Sequence, residues 1–446
     1  AMRSTVFTAT VVSILLAGAA SGHSSEEESP LEIVGEPVLT AAQIHSDLDY
    51  FLNFINATHP KLDYTTDREE LARIVAQVRS AVDRPMTARE AWAEFARLNP
   101  AFHDGHIGIR APEAEFTEYL SAGGQPFPLD VDVNGDSIRV RGVPATWAID
   151  EQAELLSIND ISSTQILRDL RPRVRGESDP LRKFLIGQKF ALLYWAMYGG
   201  FEEYRVVLRN PDATVSSQLL PVAADDGIAQ DPSLDPFQYR RLDQNTALLR
   251  IPSFDIGLRD SFLAFLEQSF AQIAADEMTR LLIDIRENGG GARDLSDPLL
   301  SYLTDARYTP TSKVKARITA ENTARVPGSQ PGQVIDLPFP QWVEPTARPW
   351  RFTGELYVLI GARTYSQAIV FATIVQDFGI GTLVGEETAG LANQTGQVTK
   401  TTLPNTGLSA QAPIYIFYRA KPRIGESGVV ADIALPSDLH HPEAMI

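Results

Sequence analysis

Three short apolar runs limit what this chain can fold into. RLLIDIR (280–286) leads into Asn288-Gly289-Gly290-Gly291, ELYVLIG (355–361) leads into a helical stretch that starts near Ser366, and TLVGE (382–386) follows that stretch. Upstream, TALLRI (246–251) precedes a segment with Phe262, Phe265, Leu266, Phe270 and Ile273 on one helical face. Strands alternating with helices imply an α/β core with a largely parallel sheet, expected over 236–446. Ligands on such sheets bind beyond the carboxyl ends of the strands. The glycine run and Ser366 both fall at that end.

The core is less than half of the chain. At 446 residues the sequence is long enough for two or three domains. Ile44, Leu48, Phe51, Leu52 and Ile55 share a helical face. Thr66 with Glu69 and Thr87 with Glu90 have capping-box spacing ahead of further apolar periodicity. An N-terminal helical domain is therefore expected over 39–112. Residues 106–112, 127–142 and 204–222 alternate as strands do, and AELLSINDISSTQILRDL reads as strand, turn and helix. A β-rich middle domain is expected over 113–235.

The first residues read as an export signal. Arg3 is the only charge before Glu26, and an apolar stretch from Val6 to Ala20 separates them. This is the layout of a secretory signal peptide over 1–22, followed by an acidic, flexible leader over 23–38. No stable membrane insertion is expected once the signal is removed. With no cysteine in the chain, thiolate catalysis, cysteine-ligated zinc and disulfides are excluded. An exported protein of this size without disulfides points to a bacterial periplasm or exterior. The net charge of -18 would repel a nucleic-acid backbone or an anionic membrane surface.

Ser366 stands at a strand-to-helix junction, where free backbone N–H groups and the helix dipole favour a developing anion. A serine there also serves simply as a helix N-cap. The glycines at 289–291 let backbone amides approach a substrate, as an oxyanion hole requires, or form a tight turn. A hydroxyl nucleophile needs a base, and the chain has seven histidines. His23, His440 and His441 lie near the ends, His45 and His59 lie in the helical segment, and His59 precedes Pro60. His103 and His106 remain, in FHDGHIGIR, and Gly105 favours presentation of His106 as base. His103, Asp104 and His106 have a metal-like grouping, but no third strong ligand is near in sequence. No metal or cofactor is expected.

Together these segments resemble the tail-specific protease family, which includes C-terminal processing proteases and the tricorn core protease. LLIDIRENGGG is similar to the family's Asp-x-Arg-x-Asn-x-Gly-Gly stretch, TYSQA to its nucleophile motif, VGEETAG to its Gly-Glu-x-Thr-x-Gly, and GVVADIAL to its terminal motif with Ala431 in place of proline. The resemblance implies a crotonase/ClpP-like protease core and a peptide or protein substrate. AELLSIND resembles a strand of a PDZ-like module. It further implies Ser366 as nucleophile and an oxyanion hole from the Gly290 and Gln367 amides. The Ser–Lys branch of the family places its lysine where this chain has Leu391, and leucine cannot accept a proton. The histidine-using branch supplies its base from an Asp-Gly-His-like loop, which DGHIGIR matches with His106, and LPNTG (403–407) is similar to that branch too. By analogy with tricorn, Glu426 is the expected third catalytic residue, with Asp104 as its rival. The competing expectations are a non-catalytic protein that binds peptides or hydrophobic ligands on the same scaffold, and a crotonase-like acyl-CoA enzyme, which an export signal disfavours.

Overall fold

The computed structural model describes residues 37–143, 147–220, 236–337, 341–425 and 427–436. The expected signal peptide, most of the leader and Glu426 lie outside these residues.

The expected parallel sheet is present. Its strands run in the order Ile433–Ala434, Thr382–Gly385, Glu355–Ile360, Arg280–Asp284, Thr246–Arg250 and Gln238–Arg241. All pairings are parallel except the last. Helices Arg259–Ala275, Arg293–Ser301 and Gln367–Asp377 follow strands and bury Phe262, Phe270, Leu299, Ile369 and Phe371 in one core with Ile283 and Val358. The motif that resembles the family's terminal stretch ties the sheet edge. Asp432 accepts from the Leu383 amide and from the Gln376 side chain.

A second sheet is antiparallel. Its long strand Ser409–Arg419 pairs along one edge with Gly108–Ile109 and then Thr311–Arg317, and along the other with Gln394–Thr402. This sheet joins the N-terminal region to the C-terminal half. The turn at LPNTG, which precedes the long strand, is fastened by buried Asp47 of helix Ala41–Thr58. That carboxylate accepts from the Asn405 and Thr406 amides and from the Thr406 hydroxyl.

The N-terminal helices and the middle region share one continuous apolar core, which runs from Ile44 to Leu220 and takes in Leu403 and Leu408. The middle sheet has the order Asp130–Asn134, Ser137–Gly142, Glu154–Ile158, Tyr204–Arg209 and Val215–Leu220. Between its strands lie helices Ser163–Leu170, Asp179–Gln188 and Phe190–Tyr198. The last two were not expected. FALLYWAMY is apolar on all sides, so it carries no amphipathic period to read. One expected cap also moves. Thr87 and Glu90 form the reciprocal capping box, but Asp67, not Thr66, caps helix Arg68–Ala81. The buried Thr66 hydroxyl turns inward and donates to the Phe102 carbonyl.

Candidate active site

Ser366 takes the N-cap position of helix Gln367–Asp377 but does not cap it. Its backbone sits at φ 53, ψ -120, and its side chain makes no capping hydrogen bond. Such a conformation costs a non-glycine residue roughly 1–3 kcal/mol. It turns the hydroxyl away from the helix. Two hydrogen bonds fix the turn: the Tyr365 amide donates to the Asn288 carbonyl, and the Gln394 side chain donates to the Ser366 carbonyl.

The glycine run abuts this turn. Gly290 has φ +95, and a Cβ there would stand 2.6 Å from Ser366 Cβ and 2.8 Å from the Gln367 nitrogen. Only glycine fits so close an approach. The Gly290 amide is already in use, donating to Asn288 Oδ1 at 2.8 Å. To serve as the expected oxyanion donor, this amide has to give up Asn288. The first N–H groups of a helix have no intrahelical acceptor, and the Gln367 amide is one of these, whereas Gly290 lends its to Asn288. The polar members of the same motif hold the turn from behind. Asp284 and Arg286 form a buried two-point ion pair, and Asn288 also donates to the Ile251 carbonyl.

His106 reaches Ser366 from the other end of the chain. Its Nε2 lies 3.3 Å from Ser366 Oγ, across 260 residues of sequence. The loop that carries it enters strand Gly108–Ile109, whose pairing with Ser409–Arg419 seats it over the core. Gln411 adds a hydrogen bond to the His106 carbonyl. His103 does not take part: it is left-handed, half-exposed and turned towards Glu70.

The opposite ring nitrogen fixes the tautomer. The Thr395 hydroxyl donates to Asp104 Oδ1 at 2.9 Å, so it can only accept from His106 Nδ1, 3.2 Å away. Nδ1 then carries the hydrogen and Nε2 presents a lone pair to Ser366. Asp104 Oδ1 also takes the His106 amide at 2.7 Å, but stands 3.7 Å from Nδ1, beyond hydrogen-bond reach. Burial, with the Arg175 charge second, pulls the His106 pKa down to about 4, so the ring is neutral near pH 7. Burial raises the Asp104 carboxyl. His59 is nearer to the site than its place before Pro60 implied. It is buried, held neutral by a pKa near 4, and 4.0 Å from Asp104 Oδ2.

A third carboxylate, Glu177, joins Asp104 and His106 with ligand-type atoms within 4.8 Å of one another. The sequence offered no such neighbour. Arg175 is buried beside the same group, and its positive charge opposes a cation there.

Residues 245–435 match the profile described as Peptidase family S41. This C-terminal region belongs to peptidase family S41. A tail-specific protease of Haemophilus influenzae is 26% identical over 148 residues, which are 33% of this chain and 18% of that protein. The match thus spans under a fifth of the length of this curated relative. A likeness in fold extends beyond the matched segment. Mature CPAF superposes over 90% of this chain and 94% of its own with a TM-score of 0.62 at 15% identity. CPAF complexed with lactacystin gives 0.63 over 91% and 96%, also at 15%. At this identity the likeness shows the fold, including the helical and middle regions that precede the S41 core.

Proposed function

We propose that this S41 protein is a serine peptidase that cleaves peptide bonds through an acyl-enzyme on Ser366, with His106 as general base. One observation carries the reading. A neutral histidine, oriented through Nδ1, offers Nε2 at 3.3 Å to a serine hydroxyl that an unfavourable backbone conformation keeps out of its helix. Ser366 Oγ attacks the substrate carbonyl while Nε2 takes its proton, and the same nitrogen returns the proton to the leaving amine. The Gln367 amide faces the developing oxyanion with the helix dipole behind it. The Gly290 amide contributes when the oxyanion competes with Asn288 for it. Asp104, through Thr395, supplies the negative charge that favours the imidazolium. Glu426 remains the proposal by analogy with tricorn. An exported setting, periplasmic or secreted, is part of this proposal and rests on residues 1–22. Among the described residues no helix is long and apolar enough to cross a membrane.

A fluorophosphonate probe with purified protein tests the reading. Labelling is expected on wild type, abolished by Ser366→Ala and reduced about 10³-fold or more by His106→Ala. Leu391→Ala is expected to label as wild type does. Folded protein that takes no label, or a fully active His106→Ala variant, would overturn the mechanism and favour a binding role.

A further inference from the structure

We propose that Glu177, carried on a loop of the middle region, is a positioning residue for the Ser366–His106 pair and acts through Tyr365. This rests on the peptidase reading above. Tyr365 directly precedes the proposed nucleophile. Its ring stacks on His106 with centroids 5.1 Å apart and planes at 22°, and its hydroxyl oxygen lies 3.3 Å from Nδ1. The hydroxyl donates to Glu177 Oε1 at 2.8 Å. Its hydrogen is thereby spent, and its oxygen offers Nδ1–H a lone pair, as Thr395 does from Asp104. Two hydroxyl–carboxylate arms converge on one ring nitrogen.

The Glu177 arm is built into the fold. Loop 174–178 leaves a short helical turn, Arg171–Arg173, and ends at Ser178, which caps helix Asp179–Gln188. Arg182 ties it by donating to the Gly176 carbonyl. On the far side stands Gly105 of the histidine loop, where a Cβ would fall 2.3 Å from the Tyr365 hydroxyl and 3.3 Å from Glu177 Oε2. A larger residue at 105 would separate the tyrosine from the carboxylate. Oε2 is buried and has no hydrogen-bond partner among the described residues.

The charges around Glu177 set how it responds to pH. Asp104 and the Gly105 backbone face it from the histidine loop and Tyr365 from the core, while Arg175 of its own loop interacts with Asp104, Tyr365, Arg110 and Glu113. Burial first, and the Asp104 charge second, push its ionisation up from the carboxylate range to about 8, against the backbone N–H groups and the Tyr365 hydroxyl, which favour the charged form. Ionised Glu177 draws more strongly on the tyrosine hydroxyl and favours the imidazolium that forms when His106 takes the serine proton. The rate therefore rises as Glu177 loses its proton.

The test is the pH dependence of kcat and KM for wild type, Glu177→Gln, Tyr365→Phe and the double variant on one peptide substrate. Glutamine keeps the acceptor for Tyr365 and removes the charge. Wild type is expected to show an ascending step in kcat between neutral and alkaline pH. E177Q lacks that step and falls about tenfold below wild type on its alkaline side, with KM within about twofold. The double variant is expected to be no slower than Y365F, because the two residues form one arm. An unchanged step in E177Q, or losses that multiply in the double variant, would overturn the proposal. Failure of the underlying reading looks different, since wild type would then show no Ser366-dependent labelling at all.

Discussion

The two halves of the proposed catalytic pair are held by different means. Ser366 is placed by backbone: a strand, a tight turn against glycine 290 and a helix, all within the parallel core. His106 is placed by side chains drawn from the histidine loop, the middle region and the antiparallel sheet, with Asp104, Thr395, Tyr365 and Glu177 around one ring. Backbone placement tolerates little change because close approach cannot relax. Side-chain placement is divided among several partners, so losing one leaves the others.

Substitution at Gly290 tests the rigid half. Gly290→Ala is expected to reduce kcat/KM on the order of 10²-fold and to lower Tm, since its Cβ meets Ser366 Cβ and the Tyr365 carbonyl and its φ disfavours any side chain. Near-normal turnover by this variant would break the comparison. Thr395→Val tests the shared half. It should cost about tenfold in kcat with KM and Tm little changed, because Tyr365 still accepts from Nδ1. A loss as large as that of His106→Ala would mean that the arms do not share the task.

The smallest expected effect lies in pH. His106 and His59 fold with pKa values near 4, against the ordinary 6.5. The folded state thus refuses protons that the unfolded chain accepts. Their contribution to stability is complete above about pH 6.5 and is lost as pH falls towards 4. The acid limb that His106 gives kcat/KM in freshly diluted enzyme should accordingly lie well below pH 6.5, beneath any step from Asp104, which burial raises to about 6. A limb at 6.5 would place His106 in water rather than in a closed network.

The difference between the halves also explains what could be read without coordinates. Strand, glycine turn and serine-led helix are contiguous in sequence, and the fold around Ser366 followed from apolar runs and turn chemistry. The histidine census narrowed the base to the DGH loop, and the resemblance to tail-specific proteases matched that loop. The partners of His106 were not legible, because Thr395 lies 289 residues away from it and Glu177 sits in a loop with no motif of its own. The N-cap reading of Ser366 could be rejected only once its φ was known. Gly290 was recognised by its type, but the use of its amide by Asn288 depended on a side-chain rotamer.

The pairing of Gly108–Ile109 with the strand Ser409–Arg419 has a consequence for synthesis. The histidine loop emerges early from the ribosome and the strand that seats it emerges near the end, a contact of very high sequence separation that forms late. Until residues 409–411 have been made, the histidine loop lacks the strand that seats it. On the proposed mechanism, hydrolytic competence therefore arrives only once that strand has been added.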